Sequence, residues 1–157
     1  MKAFTKAKPW TYASRFCQTG GGLLAEPKNN VTMHSVLEAI SIQGGKEEYW
    51  MGGQKSDVID SFVWDSDSSI VDGDNWAHGF PMSGRRFFSL LVLVYEVTMC
   101  MYLTSGSSST CIQQSAPEGF FRDQDCRQLN FFVCEILAGN GFSEPPEGTH
   151  IIFLKGN

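Results

Sequence analysis

The chain has 157 residues, a length that suits one domain of ordinary size and leaves little room for a second. A hydrophobic fraction of 42% beside 18% charged residues predicts a packed core and excludes a wholly disordered chain. The net charge of −5 argues against a nucleic-acid partner, because phosphate binding needs clustered basic residues and the 12 Lys and Arg residues are spread along the sequence.

Two amphipathic helices are predicted in the first third of the chain. Apolar residues return at helical spacing over residues 10–17, and a run of three glycines beginning at Gly20 ends this helix. A second helix is predicted over residues 32–42, with Asn30 or Thr32 able to cap its amino end.

Short strands and one long loop are predicted next. Residues 48–53 and 61–64 are apolar runs bounded by turn residues, and residues 131–135 form a similar run near the end. The stretch 65–84 is rich in Asp, Ser, Gly and Asn, which predicts an irregular surface loop. Loops of this length often carry function.

An apolar stretch over residues 87–103 separates that loop from the last strand. It is shorter than the ~20 residues of a membrane-spanning helix and contains Glu96, so no membrane span is expected, and its β-branched and aromatic residues favour a buried strand. Residues 105–110 are predicted to be a flexible connector. The Gly, Glu and Pro content of residues 136–157 predicts a carboxy-terminal tail.

Five cysteines lie at positions 17, 100, 111, 126 and 134. They form no CxxC pairs, which disfavours a zinc site, and their wide separation in a small Trp- and Gly-rich chain favours disulfides. Disulfides imply an oxidising compartment, so an extracellular location is expected, although no signal peptide is visible in the sequence. Asn30 begins an Asn-Val-Thr sequon and is a candidate glycosylation site in the secretory pathway.

Several short motifs follow one another along the chain. They are Trp10-x-x-Ala13-x-x-x-Cys17, Gly21-Gly22-x-Leu24-Ala25, Trp50-Met51-Gly52-Gly53, Phe62-x-Trp64, Asn75-Trp76-x-x-Gly79-x-Pro81, Asp123-x-x-Cys126 and Phe132-x-Cys134-Glu135. In this order they resemble the C-type lectin-like domain family. The resemblance implies an α+β fold with two helices, short antiparallel sheets and a long irregular loop, stapled by disulfides. The domain is expected over residues 1–135, with an atypical apolar insertion at about 85–110.

The resemblance also implies the disulfide pairing. The cysteine of the first helix joins that of the last strand, which assigns Cys17 to Cys134. A second disulfide ends at Cys126, with Cys111 or Cys100 as its partner. We prefer Cys111, because its separation from Cys126 matches the short spacing of the family.

Sugar-binding members of the family hold calcium through a Glu-Pro-Asn or Gln-Pro-Asp triplet and an Asn-Asp pair on the following strand. The corresponding residues here are Phe80, Pro81, Met82, Phe121, Arg122 and Asp123. Calcium needs six to eight oxygen ligands, and Asp123 alone among these side chains supplies a carboxylate. A guanidinium at contact range would repel Ca²⁺ by several kcal/mol even at an effective dielectric constant of about 20. No metal or other cofactor is therefore expected here.

The acidic loop offers a second position for calcium. A structural ion among Asp65, Asp67, Asp72 and Asp74 is one interpretation, and a solvated loop with Asx turns is the favoured one.

The resulting hypothesis is a non-catalytic recognition module. The three histidines have no partner spacing and no Gly-rich phosphate loop follows a strand, so an enzyme is not expected. The six residues named above are the candidate ligand contacts, and a protein or glycan surface bound without calcium is the preferred ligand. The alternative is a calcium-dependent carbohydrate-binding lectin.

Overall fold

The structure, a computed structural model, describes residues 1–71, 73–82 and 109–136. The helices are α1 (Trp10–Thr19) and α2 (Asn30–Ile42), with a 3-10 turn at Gly73–Asn75. The strands are β1 (Lys2–Lys8), β2 (Gly22–Leu24), β3 (Glu48–Lys55), β4 (Phe62–Trp64), β5 (Thr110–Ser115), β6 (Phe121–Asp125) and β7 (Asn130–Ile136). Both predicted helices are confirmed, as are the strands predicted at residues 48–53, 61–64 and 131–135. Strand β6 contains the residues that the family resemblance placed on a strand, whereas β1, β2 and β5 were not predicted, and β5 begins at Thr110, which was assigned to the connector. The strand favoured within residues 87–103 lies outside the described residues.

The strands of the described residues form one sheet in the order β1-β7-β3-β5-β6. Strand β2 pairs with β7, and β4 pairs with β3. All pairs are antiparallel, as expected, except that β3 and β7 run parallel. The sheet therefore has β1 at one edge and β6 at the other.

Helix α2 begins differently from the prediction. Asn29, rather than Asn30 or Thr32, is the cap, and its side-chain oxygen accepts from the backbone N–H groups of Val31 and Thr32 at 3.0 Å each. The hydroxyl of Thr32 in turn accepts from the Asn29 N–H at 3.1 Å, which completes a capping box. Beyond the helix, Gly44 adopts a φ of +90°, a conformation that glycine takes without strain.

The core has two parts. One surrounds Trp50 and contains Trp10 and both disulfides, and the other surrounds Tyr49 and contains Phe121. The indole N–H of Trp10 donates to the Met51 carbonyl at 2.7 Å, and that of Trp50 donates to the Lys8 carbonyl at 2.9 Å. Each large ring thus buries its apolar body without leaving a donor unpaired.

The disulfides Cys17–Cys134 and Cys111–Cys126 are confirmed, with Cα–Cα distances of 5.4 and 5.1 Å. The first ties α1 to β7, and the second ties β5 to the turn that follows β6. Cys100, and most of the predicted insertion and tail, lie outside the described residues. Ile136, placed in the tail by the sequence, is the last residue of β7.

Candidate functional site

Residues 76–82 run beside strand β6, which brings the two halves of the predicted site together. The N–H of Ala77 donates to the Phe121 carbonyl at 2.9 Å, and Trp76 forms a parallel bridge with Phe121. Further along, the N–H of Met82 donates to Asp123 Oδ1 at 2.7 Å. The Phe80–Pro81 peptide bond is cis. The fold therefore places the triplet 80–82 against residues 121–123, as the resemblance to the C-type lectin-like family implied.

Asp123 is largely enclosed, since only 7% of its surface is exposed. Its carboxylate receives the Met82 N–H, and a carboxylate that accepts a backbone hydrogen bond in a dry environment fixes the donor firmly. Asp123 therefore holds Met82 against β6, and its contact with a ligand stays a prediction.

Arg122 points away from Asp123 because neighbouring residues of a strand face opposite sides. Its guanidinium Nη1 lies 2.8 Å from Glu48 Oε1 on β3, and its Cζ lies 5.8 Å from the centre of the Phe80 ring. Glu48 is a site residue that the sequence did not indicate, because it precedes Arg122 by 74 positions. Burial raises the pKa of Glu48, and the charge of Arg122 opposes that rise.

The candidate contacts differ in their exposure. Met82 is 63% exposed, and Phe80 and Pro81 are half-buried. Phe121 has no exposed surface, and its ring packs edge-on against Trp64 at 5.8 Å, so its prediction as a ligand contact is wrong. Alternation along β6 turns this ring into the core, as it does Asp123 two residues later. The surface of the site consists of Phe80, Pro81, Met82 and Arg122, which we call the triplet surface.

The acidic loop is anchored by a cation from the protein itself. Lys28 Nζ lies 2.8 Å from Glu26 Oε2, 2.8 Å from Asp67 Oδ2 and 2.9 Å from Ser66 Oγ. Glu26 is 6% exposed and also accepts from the Ser66 N–H at 2.8 Å. The hydrogen bond from Lys28 lowers the pKa of Asp67. These contacts, which we call the Lys28 cluster, fasten the loop to the segment before α2.

The remaining loop carboxylates have other surroundings. Asp65 Oδ1 accepts from Gln54 Nε2 at 3.1 Å, and burial together with the charge of Glu26 raises the pKa of Asp65. Asp67 Oδ1 accepts from the Ser69 N–H at 2.9 Å, the hydrogen bond of an Asx turn. Within residues 1–71, 73–82 and 109–136, no three His, Cys, Asp or Glu side chains are grouped as a metal site. Asp72 lies outside the described residues.

Asn30 is exposed on the first turn of α2. The hydroxyl of Thr32, the third residue of the sequon, is engaged in the capping box described above. Glycosylation at Asn30 stays a prediction.

The described residues thus form two helices and one sheet cross-linked by two disulfides, and residues 76–82 run along its edge strand β6. Residues 6–136 match the profile of the lectin C-type domain, so the chain belongs to the C-type lectin domain family. Domains of this family are generally non-catalytic and bind glycan or protein ligands. None of the described helices has the length and apolar character to cross a bilayer.

Known proteins with similar sequences and structures agree with this assignment. The C-type lectin lectoxin-Lio3 of Erythrolamprus poecilogyrus is 24% identical over 89% of this chain and 76% of its own length. The SPL-1–GlcNAc complex superposes with a TM-score of 0.60 at 15% identity, covering 84% of this chain and 82% of that one. A calcium-independent type II antifreeze protein gives 0.57 at 20% identity, covering 84% and 81%. At these identities the structures establish the fold alone.

Proposed function

We propose that this domain binds the surface of a protein or glycan through the triplet surface, without calcium. One observation carries the proposal: the Asp123 carboxylate accepts a 2.7 Å hydrogen bond from the Met82 N–H. The one carboxylate of the six predicted residues is therefore engaged by the chain itself. Within the triplet, the side chains of Phe80 and Met82 contain no oxygen.

The charge of Arg122, which lies beside the Phe80 ring, supports the same proposal. Arg122 carries a positive charge that is held by Glu48 and packed against Phe80. A calcium ion at the triplet would approach this guanidinium while gaining too few oxygen ligands to replace its water. The donor set thus does not fit calcium.

The chemistry of the triplet surface suits a binding partner with mixed character. An exposed methionine adapts its shape to an apolar partner, and a guanidinium beside an aromatic ring suits polar groups or flat sugar faces. The solved structure of a calcium-independent type II antifreeze protein has the same fold, which supports the proposal. We place the protein in an extracellular compartment because two buried disulfides need oxidising conditions.

Calcium dependence is tested directly by thermal unfolding of the full chain in 10 mM CaCl₂ and in EDTA. A ligand present at 100 times its Kd stabilises the folded state by about 2.7 kcal/mol, so a site with a Kd of about 0.1 mM would raise Tm by several degrees. We expect equal Tm values. Chromatography on immobilised mannose and galactose follows, and retention that EDTA abolishes would support the calcium-dependent lectin instead.

Reversion of the triplet gives a sharper test. F80E/M82N restores the two oxygen side chains but leaves Arg122 in place, so we expect neither calcium nor sugar binding. Adding R122N removes the charge, and only this triple variant should gain calcium affinity. Sugar binding by the double variant would show that the charge argument is wrong.

Recognition itself is tested on arrays of glycans and of secreted proteins in EDTA. Ligands found there are measured again with M82D, which places a charge on the triplet surface, and with L129D as control. Leu129 is 64% exposed, matching Met82, but lies in the turn between β6 and β7. M82D alone should weaken binding by tenfold or more; equal losses in both variants, or no ligand in EDTA, would refute the proposal.

A further inference from the structure

A cleft opens between the carboxy end of helix α2 and the turn that joins β5 to β6. Its volume of about 340 Å³ is at the small end of the range of about 300–1,000 Å³ for ligand pockets. The apolar lining comes from two separate segments, with Leu37 and Ile40 on the helix and Ala116 and Pro117 on the turn. A cleft of this size suits the anchoring side chains of a larger partner.

The turn is packed against the helix at Gly119, which fixes the two walls of the cleft. A Cβ built at this glycine would lie 3.4 Å from both Cδ atoms of Leu37, so the backbone of the turn contacts that side chain closely. Gln114 Nε2 donates to the Gly119 carbonyl at 3.1 Å, which also ties the turn to strand β5. The cleft is therefore formed before a partner arrives, and a partner need not order it.

Two exposed apolar side chains flank the lining along the chain. Ile42 follows the lining residue Ser41 on α2, and Phe120 follows Gly119 in the turn. Both are exposed large hydrophobic residues. Exposed apolar side chains beside an apolar cleft are typical of a surface that a partner covers.

Carboxylates surround this apolar lining. They come from both walls, and all are exposed: Glu38, Glu47 and Glu118. Among the described residues, none of these three carboxylates takes part in an ion pair. Lys46 places one positive charge next to Glu47, whereas the charge of Arg122 is held by Glu48 at 2.8 Å. The rim therefore has an excess of negative charge, and we call the cleft with its rim the acidic cleft.

Strand pairing brings Glu47 and Glu118 to the same end of the sheet. Glu48 lies opposite Ser115 in the register of β3 with β5, and the Glu47 carbonyl accepts from the Ala116 N–H at 3.3 Å. Burial raises the pKa of Glu48 most, and the charges of Glu118 and Glu47 also raise it. These two carboxylates therefore lie close enough to Glu48 to repel its charge.

From these observations we infer that the acidic cleft binds an amphipathic helix of a protein partner, in which Lys or Arg residues flank the apolar stripe. The lining takes the apolar stripe, and the carboxylates of the rim pair with the flanking cations. A helix is favoured over an added strand, because β3 and β5, the strands that reach the cleft, are each paired on both sides. The negative rim disfavours an anionic membrane surface.

A model peptide tests the inference on the full oxidised chain. The probe is a fluorescein-labelled 16-residue peptide with Leu at helical spacing and Lys at all other positions, and its affinity is measured by fluorescence anisotropy in 0.1 M NaCl. One comparison peptide has Glu in place of Lys. The other has the composition of the probe with its Leu residues spread around the helix. We expect the probe to bind at least tenfold more tightly than either comparison peptide.

Two double variants with the same charge change test the rim. E47Q/E118Q removes two carboxylates of the acidic cleft, and D57N/D74N removes two exposed carboxylates elsewhere. The first should weaken binding of the probe about fivefold, the effect of losing two surface ion pairs of ordinary strength. The second should keep the wild-type affinity.

Two single variants test the apolar part of the acidic cleft. I42K places a cation beside the lining and should weaken binding of the probe tenfold or more. V58K makes the same kind of change at an exposed position in the turn between β3 and β4, and it should leave the affinity unchanged. M82D should leave it unchanged as well, because Met82 belongs to the triplet surface, so this inference and the proposed function fail separately. Equal Tm values in all variants exclude unfolding as the cause of a loss.

Each other result overturns the inference. Failure of the probe to bind, or equal losses in the two double variants, would show that the rim does not attract a cationic partner. Equal affinity for the peptide with dispersed Leu residues would show that the apolar lining is not used, and a loss in M82D would place the peptide on the triplet surface. Dimers that I42K dissociates would show a second copy of the chain to be the occupant, and binding to phosphatidylcholine vesicles in place of the peptide would show a lipid surface.

Discussion

Replacing Lys28 by methionine tests how far the long loop depends on one cation. K28M keeps the length and the apolar stem of the side chain but removes its charge, and it leaves the buried carboxylate of Glu26 with Ser66 as its hydrogen-bond donor. At 2.8 Å two unit charges attract by about 1.5 kcal/mol in water and about 6 kcal/mol at an effective dielectric constant of 20. The Lys28 side chain is 31% exposed, which places the pair nearer the aqueous limit, so we expect K28M to lower the free energy of unfolding by about 1–2 kcal/mol.

A double-mutant cycle separates this interaction from general effects of substitution. Urea unfolding at pH 7 with the disulfides intact is compared for wild type, K28M, E26Q and the double variant K28M/E26Q. Each single change leaves one charge of the pair behind, whereas the double change removes both, so the double variant should lose at least about 1 kcal/mol less than the sum of the single variants. Additive losses, or a loss below about 0.5 kcal/mol for K28M, would refute the assignment of the Lys28 cluster as the anchor of the loop.

Acid unfolding should report on the Asp67 carboxylate, because the hydrogen bond from Lys28 lowers its pKa in the folded state. The stabilisation from this carboxylate is present above the unfolded-state pKa of about 3.9, and it is lost as the pH falls toward the lower pKa of the folded state. D67N should therefore be less stable than wild type at pH 6, and the difference in urea midpoint should shrink toward pH 2; a constant difference would contradict this. G22A should lower the free energy of unfolding in urea by more than about 2 kcal/mol, because its new Cβ would collide with the backbone carbonyl of Glu135 on β7. G73A is the control: its Cβ meets open space, so its free energy of unfolding should stay within about 0.5 kcal/mol of wild type. Equal effects of the two variants would be inconsistent with the packing of β2. The C111A/C126A variant should lose about 3 kcal/mol, the chain-entropy value for a 15-residue loop, and a loss below about 1 kcal/mol in denaturant unfolding would speak against that account.

The elements that were predicted and those that were missed differ in how local their signals are. Helix α1 was predicted because its apolar spacing is visible within ten residues. Strand β5 was missed because its sequence is polar, yet Gln113 and Gln114 are buried. Asn130 donates to Gln113 Oε1 at 2.7 Å, and Gln114 donates to the Gly119 carbonyl at 3.1 Å. Burial of polar amides depends on such distant partners, which no local pattern reveals.

The same distinction applies to the candidate site. The triplet and the β6 residues were found from their motif, but the motif did not say that Phe121 faces the core or that Glu48 holds Arg122. Both facts follow from strand pairing, because β6 lies on β5 and β5 lies on β3. The Lys28 cluster was missed for the same reason, since its members come from two separate segments of the chain.

From the sequence, apolar periodicity determined the two helices, and residue type determined the chemical groups present at the triplet. The class of fold and the disulfide partners came from the resemblance of its ordered motifs to a known family, because cysteine positions alone do not fix their pairing. The tertiary structure alone decided which of those groups face solvent and which charges are paired. Exposure and pairing depend on distances between segments far apart in the chain, and these distances exist only after the sheet has formed.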